Sequence, residues 1–527
     1  VGKHGNSTIL ISIEFKASAY LHKSLHIIYK KGGDPLSSSK PPTNASSPQY
    51  PNDMLNIIRN GLQQQSPPKT IIIAGAGMSG LVAASLLKRA GHTVIILEGN
   101  NRLGGRVYTI RQPFTQGNYI DLGAMRVPNT HVLAFEYIRH FKLRTNKFIN
   151  SSPKDLIFVN NVLTTNAIYE KNPDILNFPV EEWEKGKTAT ELFLAAVQPF
   201  FDLYKNSSPE QQDKLKEQYD QYSMERFLKE NPYGPSLSLN AIRMISVLLG
   251  IEGFRELSFI GILTDIIFPI FNPETEFFEI SGGNDQLPYS FLPELHNNLF
   301  YNEKVLRVSQ NEGGVLFQTR NQLTGAYHTF QGDYAVITIP FTAFQFIDVI
   351  PYHSISFKKW QAIRELQSLV AVKIAMEFKH RFWEKLDVGN AISDRTTRFT
   401  YIPSHGVGTS GPAVLLASYS WGHDAMLWNS LSKEEIIQYA LKDLAKIYGN
   451  VVYTEYMQGV SFNWTQNPYS AGCFTLFTPG QFTDLGDVIH QPEGRLHFAG
   501  EHTSSFHGWI EGAVESGIRA AYEVNQR

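Results

Sequence analysis

Four short apolar runs punctuate the chain: Ile71–Ala74, Val94–Leu97, 334–340 ("YAVITIP") and Leu496–Ala499. Continuous rather than alternating apolar residues predict strands buried on both faces, as in a parallel sheet. Two further stretches carry helical spacing. Leu81, Ala84 and Leu87 follow the first run, with Lys88 and Arg89 placed to face water and Gly91 to end the helix. Near the C-terminus Ile510, Ala513, Val514, Gly517, Ile518 and Ala521 form one apolar face, and Gly512, Ala513 and Gly517 permit close approach to a backbone or flat ring. Residues 132–250 contain charge-rich, helix-like stretches such as "SPEQQDKLKEQYDQYSMERFLKE", and 341–455 predicts a mixed sheet. No internal repeat is evident. The pattern predicts a mixed α/β fold.

Composition narrows the classes. A chain of 527 residues is too long for one compact core, so two or three domains are expected. Charge balance, 47 − 49 = −2, gives no reason to expect a nucleic-acid or anionic-membrane partner. A single cysteine, Cys473, rules out an internal disulfide and thiolate-rich zinc sites, and no metal is expected. No apolar run approaches the roughly 18–20 residues needed to span a bilayer. Glu14 and Lys16 interrupt the first apolar stretch, so residues 1–24 do not read as a signal peptide, and residues 1–50 read as an exposed arm. Five Asn-x-Ser/Thr triplets occur, which alone do not establish secretion. A soluble protein is expected, with the cytoplasm favoured over secretion.

The chemistry begins at "KTIIIAGAGMSGLVAASLLKRAGHTVIILEGNNRLGGR", residues 69–106. Gly75, Gly77 and Gly80 form G-x-G-x-x-G between the first strand and the first helix. They serve the tight turn, close approach to a pyrophosphate and helix–strand packing in that order. The second strand delivers Glu98, an acceptor for ribose hydroxyls that would repel a 2′-phosphate. Strand, turn, helix, strand and acid in order predict a dinucleotide site. The C-terminal helix is a second candidate, because its start offers free N–H groups and a positive dipole end.

Gly104-Gly105-Arg106, just after Glu98, resembles the flavin amine oxidase family, where G-G-R runs beside the FAD pyrophosphate. A glycine turn with a surface arginine is the alternative. The segment "GRLHFAGEHTSSFHGWIEGAVESGIRAAYEV" resembles the same family, whose last helix points at the isoalloxazine. Val305 matches the position whose backbone holds the adenine. The resemblance implies FAD and a discontinuous Rossmann-like domain built from 51–131, part of 251–340 and 456–527. A helical domain over 132–250 and a substrate domain over 341–455 complete the expected organisation. Met78, Ser79, Gly80, Gly99, Gly123, Ala124, Met125, Arg126, Gly500, Glu501, Gly508, Trp509, Ile510 and Ala513 are further expected cofactor contacts.

"IDLGAMRVPNTH" carries a G-x-M-R-x-P stretch similar to that of L-amino acid oxidases, in which the arginine clamps the substrate carboxylate. Arg126 has the chemistry for it, two parallel charge-assisted hydrogen bonds; a structural ion pair is the other fate. The resemblance covers about residues 51–527. It implies that Tyr419 is a second partner for the carboxylate, and that Trp509 and Phe474 are aromatic walls. It also implies that Lys373 holds a water near the flavin's hydride-accepting nitrogen and assists reaction with dioxygen. Core packing for Tyr419 and an edge-strand charge for Lys373 stay open. Venom-type enzymes carry a gating His before "ISGG", and residues 261–283 here contain none. His502 and His507 receive no role. Cys473 occupies a position that in monoamine oxidases joins the flavin through a thioether; a small buried thiol is the favoured reading, with FAD bound non-covalently.

The expected reaction is oxidation of an L-amino acid, with an apolar or aromatic side chain, by dioxygen to a 2-oxo acid, ammonia and hydrogen peroxide. A homodimer is the expected assembly. The alternatives are a monoamine or polyamine oxidase, an amino-acid 2-monooxygenase giving an amide, and a flavin-binding module without turnover.

Overall fold

The computed structural model describes residues 47–527, except 65–66, 252 and 268–273. The arm expected over 1–50 thus lies, but for its last four residues, outside the described residues. The four apolar runs assemble as anticipated. A parallel sheet has the strand order Leu299–Phe300, Thr93–Leu97, Thr70–Ala74, Tyr334–Ile337, Leu496–Phe498. Ile71, Ile72 and Ile73 are completely buried, which is why this strand cannot alternate. The sheet draws on segments hundreds of residues apart in sequence, so it is discontinuous.

Two helices cover one face of this sheet, Met78–Arg89 and Ile510–Asn525. They touch closely: a Cβ on Gly517 would lie 2.6 Å from the Ser79 carbonyl oxygen. The C-terminal helix departs from the expected single apolar face. Glu511, Glu515 and Arg519 are buried as well. Glu511 accepts from the amides of Leu133 and Ala134, the opening of helix Val132–His140, and from the Tyr50 hydroxyl. Arg519 donates to the Phe498 carbonyl and to Glu523. Glu511 and Arg519 are thus satisfied by protein rather than by water, whereas one Glu515 carboxyl oxygen has no hydrogen-bond partner.

Residues 132–250 hold helices Ala189–Asn206, Pro209–Asp220, Met224–Lys229 and Leu239–Leu249. Thr188, Ser208, Ser223 and Ser238 cap them, each accepting from the amide three residues on. Such caps contribute about 1 kcal/mol apiece. The helices close on an aromatic cluster in which Phe227 stacks on Phe259 at 3.6 Å. The segment is not wholly helical, because strands Leu156–Val159 and Val162–Thr165 leave it for another sheet. That sheet has seven strands in the order Tyr456–Asn463, Ala371–Phe378, Ala413–Trp421, Phe399–Tyr401, Ala391–Ser393, Leu156–Val159, Val162–Thr165. One parallel pairing, Ala391–Ser393 with Leu156–Val159, makes it mixed.

Candidate active site

A single cavity brings both ends of the chain together with the mixed sheet. At one end are Glu98, Gly99, Lys304 and Val305; the glycine turn and the start of helix Met78–Arg89 follow. At the other end lie Gly123 to Arg126, Lys373, Tyr419, Phe474, Cys473 and the segments around Gly500 and Trp509. Ile510 and Ala513, in the first turn of the last helix, also line it.

The dinucleotide motif performs its parts separately. A Cβ on Gly77 would meet nothing within 4 Å, so the chain there opens onto the cavity. A Cβ on Gly80 would sit 2.1 Å from the Gly75 carbonyl oxygen. Gly80, expected among the cofactor contacts, therefore packs helix on turn and is not among the cavity-lining residues. Neither the Met78 helix nor the C-terminal helix has a side-chain cap, so their first amides stay available to an anionic group. Glu98 is fixed by the amides of Ala76 and Asn100, each at 2.8 Å, and burial raises its pKa against those bonds.

Arg106 is neither a surface residue nor free to roam. It pairs with Glu501 and donates to the Cys473 carbonyl at 2.9 Å. The other Glu501 oxygen accepts from the amides of Gly508 at 2.8 Å and Thr475 at 3.3 Å. Burial pushes the Glu501 carboxyl upward, but Arg106, His502, His507 and the Gly508 amide outweigh it and hold the group below the ordinary carboxylate value. One ion pair thus joins the 104–106 turn, the Cys473 segment and the C-terminal loop.

Lys373 lies on Ala371–Phe378, an interior strand of the seven, so the edge-strand reading fails. Its neighbour in register is Tyr419, and the ammonium lies 4.4 Å from that ring's centroid. Lys373 is 1% exposed, and its Nζ donates to the carbonyls of Gly123 at 2.7 Å and Asp121 at 3.2 Å. Burial brings its pKa down to about 8, with Cys473 and Asp121 opposing and Arg126 reinforcing the fall. Burial also raises Tyr419 far above the usual phenol value. Arg126 donates to the Asn150 side chain and sits over the Phe277 ring at 5.0 Å and the Tyr401 ring at 5.9 Å. Among the described residues no carboxylate is in salt-bridge range of it, which removes the structural ion-pair alternative.

Sequence reasoning missed Phe254, Ile266, Trp421, Thr338 and Tyr469, all of which line the cavity. Thr338 had a readable signal. It directly follows a parallel strand, where ligands of doubly wound sheets bind. The aromatic residues reach the cavity from distant segments and had none. Among the described residues no group of three or more metal-ligating side chains occurs, and no helix is long and apolar enough to cross a membrane.

Residues 78–525 match the family described as flavin containing amine oxidoreductase. A Bacillus subtilis protein, YobN, whose name assigns it provisionally as an L-amino-acid oxidase, is 48% identical over 90% of this chain and 98% of its own. L-amino-acid oxidases of Siganus canaliculatus and Pseudechis australis are 36% and 34% identical, each over 90% of this chain and 88% and 90% of theirs. Cyclohexylamine oxidase from Brevibacterium oxydans shares the fold, with a TM-score of 0.69 at 21% identity over 87% of this chain and 99% of that one. The protein is an FAD-dependent oxidoreductase. It belongs to the flavin-containing amine oxidoreductase family.

Proposed function

We propose that the protein oxidises L-amino acids with apolar or aromatic side chains, using dioxygen and water to give a 2-oxo acid, ammonia and hydrogen peroxide. The observation that carries this reading is Arg126, a cation in the cavity wall with no carboxylate partner among the described residues. A guanidinium so placed supplies a binding site for a substrate carboxylate, and simple amines have no use for one.

Glu98, the Met78 helix start, Val305 and the first turn of the C-terminal helix would hold FAD. When bound, FAD accepts the hydride equivalent of the amine and passes the electrons to dioxygen. Arg126 binds the carboxylate, the Tyr419 hydroxyl donates to its second oxygen, and together they fix the α-carbon's orientation. Trp509 and Phe474 form apolar walls along the substrate, packing its side chain and stripping water from the amine, which favours the amine's neutral, electron-donating form. Phe254, Ile266 and Trp421 add an apolar lining that suits an apolar side chain. At the end of the cavity that holds Lys373 and Trp509, the lining carboxylate Glu501 is consumed by Arg106 and two amides. No base at the α-carbon is needed for hydride loss. A peroxide assay across the common L-amino acids, with 2-oxo acid and ammonia identified as products, tests the reading. Leucine- or phenylalanine-like substrates should be preferred, and an aldehyde or amide product would overturn it.

Lys373 has three N–H groups and commits two to carbonyls, leaving one for a cavity water. As a cation it stabilises the negative charge that dioxygen acquires on reduction. With its pKa near 8, the charge is present below that pH and lost above it. The rate of flavin reoxidation should therefore fall as pH rises through about 8. Lys373→Met should be slower by about tenfold or more and flat across this range. An unchanged pH profile in stopped-flow reoxidation would remove the assignment.

Cys473 lines the cavity, and burial pushes its thiol up to about 12. At neutral pH only on the order of one part in 10⁵ is thiolate, the nucleophilic form. FAD is therefore expected to be bound non-covalently. Acid precipitation should leave a colourless pellet; a yellow pellet would show a covalent bond.

A further inference from the structure

Asp265 and His507 have no part in the chemistry above, yet they meet at the base of the Trp509 wall. His507 Nδ1 lies 3.0 Å from Asp265 Oδ2, and both side chains are buried, 3% and 4% exposed. The backbone carbonyl of the same Asp265 accepts from the Trp509 indole N–H at 2.7 Å. One residue thus ties two positions of the 507–509 loop, by its side chain and its main chain. Gly508, between them, donates to Glu501 at 2.8 Å, and a Cβ there would come within 3.1 Å of the Phe474 ring. The His131 ring meets Trp509 edge-on at 5.0 Å and contributes packing alone, since neither of its nitrogens has a hydrogen-bond partner.

The setting of Asp265 is otherwise apolar. It sits in the middle of the π-helical turn Leu263–Ile267, whose Leu263, Ile266 and Ile267 are buried. Single π-turns cluster at functional sites, and the next residue, Ile266, itself lines the cavity. A buried acid–imidazole pair is poor value as a source of stability, because desolvating the two groups offsets most of their attraction. A hydrophobic pair of similar volume would pack there without that cost. What the pair supplies is a unique geometry for the loop that carries Trp509.

We infer that Asp265 is a positioning residue, which through His507 and the Trp509 indole sets the aromatic wall against which the substrate side chain packs. This rests on the amino-acid reading of the cavity. The consequence is selective: Asp265 governs how well bulky side chains are held and leaves FAD binding and small side chains nearly untouched.

The test uses the FAD-loaded protein and two readouts. Benzoate, a non-oxidisable aromatic carboxylate, is titrated against the flavin absorbance, and kcat/KM is compared for phenylalanine and alanine. Asp265→Ala should weaken benzoate binding by about tenfold and lower the phenylalanine-to-alanine ratio by a similar factor, at unchanged FAD content. Asp265→Asn, which can still accept from the imidazole, should restore most of both. His507→Ala should shift both in the same direction as Asp265→Ala. Wild-type affinity and ratio in both alanine variants would overturn the inference. Loss of FAD, or an equal loss on both substrates, would show a merely structural role and overturn it too. If the wild-type flavin responds neither to benzoate nor to any L-amino acid, the proposed function itself fails, and the inference with it.

Discussion

Arg126→Ala is expected to lower kcat/KM for L-amino acids on the order of 10²–10³-fold while the protein retains its FAD. The size follows from what is lost. Removing one partner of a buried, hydrogen-bonded charge pair costs about 2–5 kcal/mol, much of it from the charge left unpaired. Here that charge is the substrate carboxylate, held in an aromatic-walled cavity in which water cannot replace the guanidinium. The effect should fall on both kcat and KM, because the clamp also orients the α-carbon. FAD should stay, since Glu98, the glycine turn and the two helix starts are untouched by the change. Arg126→Lys should recover only part of the loss, a point charge being unable to form the two parallel bonds. Turnover and flavin content measured on the same preparations check this. Unchanged turnover in Arg126→Ala would remove the carboxylate assignment.

Glu501→Ala should have a second large effect, on cofactor retention and stability rather than on substrate choice. The substitution strips Arg106 of its partner and leaves the Gly508 and Thr475 amides without their acceptor. Breaking one side of a buried ion pair costs about 3–5 kcal/mol. Three segments of the cavity wall would lose their common tie, so the purified variant should carry far less FAD and unfold at lower temperature. Glu501→Gln keeps one oxygen that can accept from both amides but loses the charge facing Arg106, and should fall between. FAD content by absorbance and the unfolding midpoint with and without added FAD measure the effect. A variant with full FAD content and an unchanged midpoint would contradict the role given to the pair.

Much of this arrangement was legible in the sequence because its causes are local. The strands at Ile71 and Val94 announce themselves by continuous apolar residues, and the glycine turn and Glu98 follow at spacings fixed by backbone geometry. Arg126, Lys373, Tyr419, Phe474 and Trp509 were marked by resemblance, and the structure brings all five to one cavity. What escaped was decided by long-range pairing. Nothing in "LGGRVYT" shows that Arg106 would find Glu501, nearly four hundred residues on, and turn a cofactor motif into a tie between segments. Glu511, Glu515 and Arg519 fall outside the apolar face marked by helical spacing and are buried all the same, because burial of a charge depends on partners that periodicity cannot reveal. Asp265 sits in an apolar stretch with no sequence signal of its own, and its meaning appears only once His507 and Trp509 are beside it.

The cavity is expected to select a carboxylate together with an amine. Anaerobic mixing of the FAD-loaded protein with L-phenylalanine or with 2-phenylethylamine, which differ only by that carboxylate, decides the point. The amino acid should bleach the flavin absorbance within the mixing experiment, and the amine should leave it yellow. Bleaching by the amine with no response to the amino acid would contradict the claim.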